Sequence, residues 1–122
     1  MLDIDRSGNI TVNRGDTFNV PLFIDCNKNI FYSVRFPLKE GDKIFFFLVE
    51  PNASIRHYLL KQTYTKEDVN ENGDIMLKFL NQDTSWIAPG TYYYEIKLQR
   101  QWEEAFKDAL VTIVPRRKFI IL

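Results

Sequence analysis

Few residues in this chain of 122 are of a type and spacing that do chemistry. His57 is the only histidine, and it lies in the strand-like run Ile55-Arg56-His57-Tyr58-Leu59 with no serine or cysteine arranged around it as a nucleophile, so it reads as a sheet-surface residue. Cys26, the single cysteine, follows Asp25 with no second reactive group at a useful spacing; it reads as a free structural thiol and leaves the fold without an internal disulfide or a cysteine zinc site. Asp68-Val69-Asn70-Glu71-Asn72-Gly73-Asp74-Ile75 opens like a calcium loop, with oxygen donors on Asp68, Asn70 and Asn72, a glycine for the turn and an apolar residue two places later. The match then stops, because Phe79 stands where the closing glutamate belongs and the flanks are strand-like. Asp3-Ile4-Asp5-Arg6-Ser7-Gly8 starts in the same way and has Arg14 at the closing position. Asn and Asp favour turns through local hydrogen bonds, and a turn is the reading given to both segments, with metal binding at Asp68-Asn70-Asn72 left open. Glu67 with Asp68, and Glu103 with Glu104, read as solvated charges in polar connections. No phosphate-binding glycine loop occurs. The expectation is a protein without catalytic residues, cofactor or resident metal, and so not an enzyme.

The elements that position these residues are strands. Phe18, Val20, Leu22 and Ile24 alternate with polar neighbours across Asp16 to Asp25, and Pro21, which lacks a ladder donor, suits an edge. Ile10 and Val12 alternate with Thr11 and Asn13 ahead of the turn Arg14-Gly15-Asp16. Ile30 to Phe36 repeats the alternation, whereas Lys43 to Glu50 is apolar on both faces and should be a central strand. Ile55 to Tyr64 and Asp74 to Leu80 also read as strands. In Thr91 to Gln99, Tyr92, Tyr94, Ile96 and Leu98 form the inward set, with Tyr93, Glu95 and Lys97 outward. Gln101 to Leu110 fits either a strand or a helix, with a continuing β-hairpin preferred; Arg116 to Lys118 then punctuates before a short terminal strand, Phe119 to Leu122. About eight short strands separated by Gly, Pro and Asn turns point to one all-β domain over residues 1–122, an antiparallel immunoglobulin-like β-sandwich.

Within it, Gly90, Tyr92 and Tyr94 have the spacing of a tyrosine corner, in which the Tyr92 phenol bonds backbone just upstream; an ordinary aromatic strand start explains them equally. Tyr93 and Trp102 are candidate partner contacts, Tyr93 by outward parity and Trp102 by its place beside Arg100 near a hairpin tip, although Trp102 also shares the parity of the buried face. Phe119 and Ile121, in an apolar terminal segment, either close a sheet or pair with another chain as an edge strand. Trp86 reads as a cover over one end of the core. Sixteen Lys and Arg balance sixteen Asp and Glu, which argues against duplex nucleic acid or an anionic membrane as the main partner while leaving room for a small local basic patch. The polar, acidic start MLDIDRSGN is unlike a secretory signal, and the run Ile44 to Val49 is far short of the roughly 20 residues of a membrane helix. Outward aromatics, Tyr58, Tyr64, Tyr93 and Trp102, also fit stacking on sugar rings, so a carbohydrate-binding or adhesive module is the alternative function.

Three motifs, I-T-V-N-R-G-D-T-F-N-V at Ile10 to Val20, G-D-K-I-F-F-F at Gly41 to Phe47 and D-T-S-W-I-A-P-G-T-Y-Y-Y-E-I at Asp83 to Ile96, occur in this order across most of the chain. As a set they resemble small Ig-like virion proteins encoded by tailed phages and prophages of Gram-positive bacteria. The resemblance implies a structural or accessory neck, tail or baseplate protein, made in the host cytoplasm and built into the virion, that contacts other virion proteins through loops or a sheet edge. It implies no catalytic residues. Arg100-Gln101-Trp102-Glu103-Glu104 departs from the short glycine hairpin expected there.

Overall fold

A computed structural model describes residues 2–23, 40–71, 74–100 and 109–122. Eight strands run through them: β1 (Leu2–Ile4), β2 (Ile10–Val12), β3 (Phe18–Phe23), β4 (Lys43–Val49), β5 (Leu60–Thr65), β6 (Asp74–Phe79), β7 (Gly90–Arg100) and β8 (Ala109–Ile121), with one helical turn, α1 (Asn81–Thr84), between β6 and β7. Six strands form a sheet in the order β1-β2-β8-β7-β4-β5, and β3 pairs with β6 in a second sheet. The stretch Ile30 to Phe36, Cys26, Asn72, Gly73 and Trp102 lie outside the described residues, as does all of the ambiguous segment before Ala109.

The alternation read in the sequence places the core. Tyr94, Ile96 and Leu98 on β7 and Ile44, Phe46 and Leu48 on β4 are fully buried, facing Val20, Ile75, Leu77 and Phe79 of the smaller sheet. Phe46 meets Phe79 nearly edge-on, with ring centres 5.0 Å apart, and Phe18 stacks on Phe79 at 4.6 Å. These are favoured aromatic geometries, and each fully buried large side chain contributes about 1.5–3 kcal/mol. β4 is central as expected, with β7 on one side and β5 on the other. Its outer face is covered too: the Lys61 ammonium sits 4.6 Å above the Phe45 ring, and Tyr58 leans on Phe47 at 5.9 Å.

The sheet is mixed, which corrects the all-antiparallel expectation. β2 pairs with β8 in parallel, with Ile10 opposite Phe119 and Val12 opposite Ile121. A tight turn forces chain neighbours to run antiparallel. β2 and β8 come from opposite ends of the chain with no turn joining them, so that constraint is absent.

Further corrections concern local hydrogen bonding. Ile55–His57 is a 3-10 turn, not strand, because the Ser54 hydroxyl accepts the Arg56 N–H at 3.3 Å and caps it, and the strand begins only at Leu60. His57 is thereby exposed in a turn and not on a sheet. Arg116 to Lys118 does not break β8. Tyr94 lies opposite Arg117 while Ile96 lies opposite Val114, so β8 carries an extra residue in a bulge that contains Pro115 and Arg116 and tolerates the missing proline N–H. Phe119 to Ile121 lies inside the sheet between β2 and β7, and the chain end is stitched down by Leu122 N–H to Val12 O at 2.9 Å and Arg14 N–H to Leu122 O at 3.1 Å. That segment therefore closes the sheet. The outer strands of the large sheet, among the described residues, are β1 and β5.

The side of β6 away from β3 is met by side chains. Gln62 Nε2 donates to Lys78 O at 2.8 Å, Lys78 N–H donates to Tyr64 Oη at 2.9 Å, and Tyr64 Oη donates to Gln62 Oε1 at 2.5 Å. Two β5 side chains thus do for Lys78 what a neighbouring strand would do, which blunts an edge open to unwanted pairing.

Candidate functional site

The turn between β1 and β2 is organised by one carboxylate. Asp5 Oδ1 accepts the N–H groups of Ser7 and Asn9, both at 2.9 Å, and Oδ2 accepts Asn9 Nδ2 at 2.9 Å, while Gly8 supplies the left-handed conformation the turn needs, φ 85°. Asn9 Oδ1 then accepts the Lys118 N–H at 3.0 Å, and the buried Tyr94 hydroxyl donates to Gly8 O at 2.5 Å. The turn is clamped onto β8 and β7, with Arg6 at its tip.

The side-chain and backbone bonds from Asn9 hold the Asp5 carboxyl below the usual aspartate range. A carboxyl whose folded pKa is depressed contributes stability that is present above its unfolded value and lost as pH falls through the folded one. A carboxyl-detected NMR titration should give Asp5 a midpoint below about 3.9, with Asn9→Ala moving it upward. A midpoint indifferent to Asn9→Ala would mean that the turn is not held this way.

The bulge in β8 brings three consecutive cations beside this turn. Arg6, Asn9, Tyr93, Arg116, Arg117 and Lys118 border a concave pocket of about 630 Å³. Arg116 is fixed in place: Nε lies 2.8 Å from Glu95 Oε1, and Nη2 donates to Ala53 O at 2.8 Å. Glu95 is shared with Lys97, whose Nζ is 3.3 Å from Oε2. Among the described residues no acid pairs with Arg6, Arg117 or Lys118. The pocket is a cationic concavity with one aromatic residue, Tyr93, on its border, a lining whose chemistry suits an oxyanion. A balanced total charge hid it, because Arg6 and the Arg116 to Lys118 run come together only through the β2–β8 pairing.

The expected site residues fall into separate places. Tyr92 Oη donates to Ala88 O at 2.6 Å, and Gly90 lies against the Tyr92 ring. Tyr93 borders the pocket, half-buried. Phe119 and Ile121 are 0% and 1% exposed, so their side chains belong to the core and not to a partner surface; they share inward parity on a strand with neighbours on both sides. Trp86 is 57% exposed, which corrects its reading as a core cover. Asp68 accepts the Thr65 N–H at 2.8 Å through Oδ2, and Glu67 accepts the Thr65 hydroxyl at 2.5 Å. Among the described residues no group of three or more His, Cys, Asp or Glu is placed to hold a metal, and no helix is long and apolar enough to cross a membrane.

A second cluster, not foreseen, joins the Arg14-Gly15 turn to α1. Gly15 N–H donates to the hydroxyl of fully buried Thr84 at 2.9 Å, Asn81 Nδ2 donates to Gly15 O at 2.6 Å, and Arg14 Nε donates to Ser85 O at 2.8 Å. Compared with models of known protein families, with curated proteins and with solved structures, the chain matches none.

Proposed function

We propose that the chain is an immunoglobulin-like β-sandwich serving as a non-enzymatic structural or accessory protein of a tailed-phage virion, where it joins other neck, tail or baseplate proteins. The strand order supports the fold part of this reading. β8-β7-β4-β5 in one sheet and β3-β6 in the other correspond to the G-F-C-C′ and B-E strands of a variable-type immunoglobulin domain. The Tyr92 bond to a carbonyl four residues upstream, at the start of the strand corresponding to F, has the geometry of a tyrosine corner, and Tyr94 stands where antibody domains carry their second cysteine.

The functional part is carried by one observation: the motifs behind the resemblance meet in space, Arg14-Gly15 of the first against Thr84 and Ser85 of the third, and Phe46 and Phe47 of the second opposite Ile96 and Glu95 of the third. Their residues are engaged in holding the fold, as in a framework whose loops and surfaces are left for contacts. Purified protein mixed with candidate neck, tail and baseplate proteins and followed by native mass spectrometry should form a complex with at least one. No complex with any would remove the assembly role. The exposed Trp86 favours a carbohydrate-binding module as the second reading, to be abandoned if a glycan array gives no signal.

A further inference from the structure

The geometry points to the pocket between the β1–β2 turn and the β8 bulge as a docking site for an acidic segment of a partner protein, whose carboxylates the unpaired cations of the pocket receive. This rests on the protein-contact reading above and specifies the partner's chemistry. Three of the four cations are arginines, whose planar forks take carboxylates in two parallel hydrogen bonds. The molecule already pairs an arginine with a carboxylate here, through a single bond: Arg116 Nε holds the Glu95 carboxylate at 2.8 Å while Nη2 goes to Ala53 O, and Arg117 and Lys118 continue the same cationic run without an acid beside them among the described residues. Phosphate sites usually present a nest of free backbone N–H groups. In this turn the Ser7 and Asn9 N–H groups are taken by Asp5, and the Lys118 N–H is taken by Asn9. Recognition is left to side-chain forks, and the partly buried Tyr93 offers an aromatic wall against which a peptide packs. Of the lining side chains, Asn9 is held by Asp5 and Arg116 by Glu95 and Ala53, so this part of the pocket is positioned before binding, which lowers the ordering cost of association.

The test titrates the full chain with a blocked hexaglutamate peptide by calorimetry, with inorganic phosphate and chondroitin sulfate as competitors. The peptide should bind, severalfold more weakly at physiological than at low salt. Arg117→Glu with Lys118→Glu should weaken it roughly tenfold or more, and the milder Arg117→Gln with Lys118→Gln should fall between, with melting temperatures close to the parent. Glu67→Lys, in the turn after β5, should leave the affinity unchanged. No binding, or binding indifferent to both double variants, overturns the inference, and so does tighter binding of phosphate or of the sulfated glycan than of the peptide. If the reversed-charge variant joins a virion protein as well as the parent does, the pocket assignment fails and the assembly reading stands. If the parent binds peptide but joins no virion protein, the assembly reading fails and the pocket remains.

Discussion

Phe119→Ala is expected to lower stability by about 3–5 kcal/mol, the cost of removing a large aromatic side chain from a packed core. Phe119 is fully buried at the meeting point of both sheets, its ring centre 6.1 Å from Phe79, 6.2 Å from Phe46, 6.3 Å from Phe18 and 6.3 Å from Tyr94. No neighbour can fill the space without giving up its own ring contacts, so little of the cavity closes. Since a domain of this size has about 5–15 kcal/mol in total, the variant should populate unfolded chain at moderate urea. Leu110→Ala on the same strand, 49% exposed, should lower stability by no more than about 0.5 kcal/mol. Equal urea midpoints for the two variants would contradict the placement of Phe119. Deleting Phe119 to Leu122 removes that ring together with backbone pairing to β2 and β7 and should prevent folding. A truncated protein with unchanged melting would refute an interior position for the segment.

That the terminal segment would be buried was half legible in the sequence. Its apolar parity was plain, but parity states which face is inward and not which strand lies alongside. The same limit explains the other outcomes. Strands β3, β4, β6 and β7 announced themselves by period-two alternation or by a run apolar on both faces, because those patterns are local. The parallel β2–β8 contact joins residues more than a hundred positions apart, and nothing in Ile10-Thr11-Val12 specifies it. The cationic pocket depends on that contact and on the β8 bulge, so it could not be read from a chain whose charges sum to zero. Arg116 to Lys118 looked like punctuation, since a bulge inside a long strand and a gap between two strands present the same residues. At Ile55 to Leu59 aromatic and β-branched composition favoured strand, and a single serine cap overrode it.

The contacts between Arg14-Gly15 and α1 set the last expectation. Thr84→Val keeps the shape of a fully buried side chain but removes the oxygen that accepts the Gly15 N–H, and leaving that group unpaired should cost about 1–3 kcal/mol. Thr84→Ser keeps the hydroxyl and loses only a methyl group, so it should cost less, which separates the hydrogen bond from packing. Gly15→Ala attacks the same junction from the other side. Its backbone sits at φ +77°, which opposes any side chain by about 1–2 kcal/mol, and the added carbon would lie 3.3 Å from Asn81 Nδ2, whose bond to Gly15 O it would disturb. Once Gly15 has shifted, its N–H no longer reaches Thr84, and the second substitution has less left to remove. The double variant should therefore fall short of the sum of the singles by about 0.5 kcal/mol or more, measured by urea unfolding at equal slopes. Strict additivity would mean that the turn and α1 are secured independently, and the two motifs would then be neighbours in space without acting as one framework.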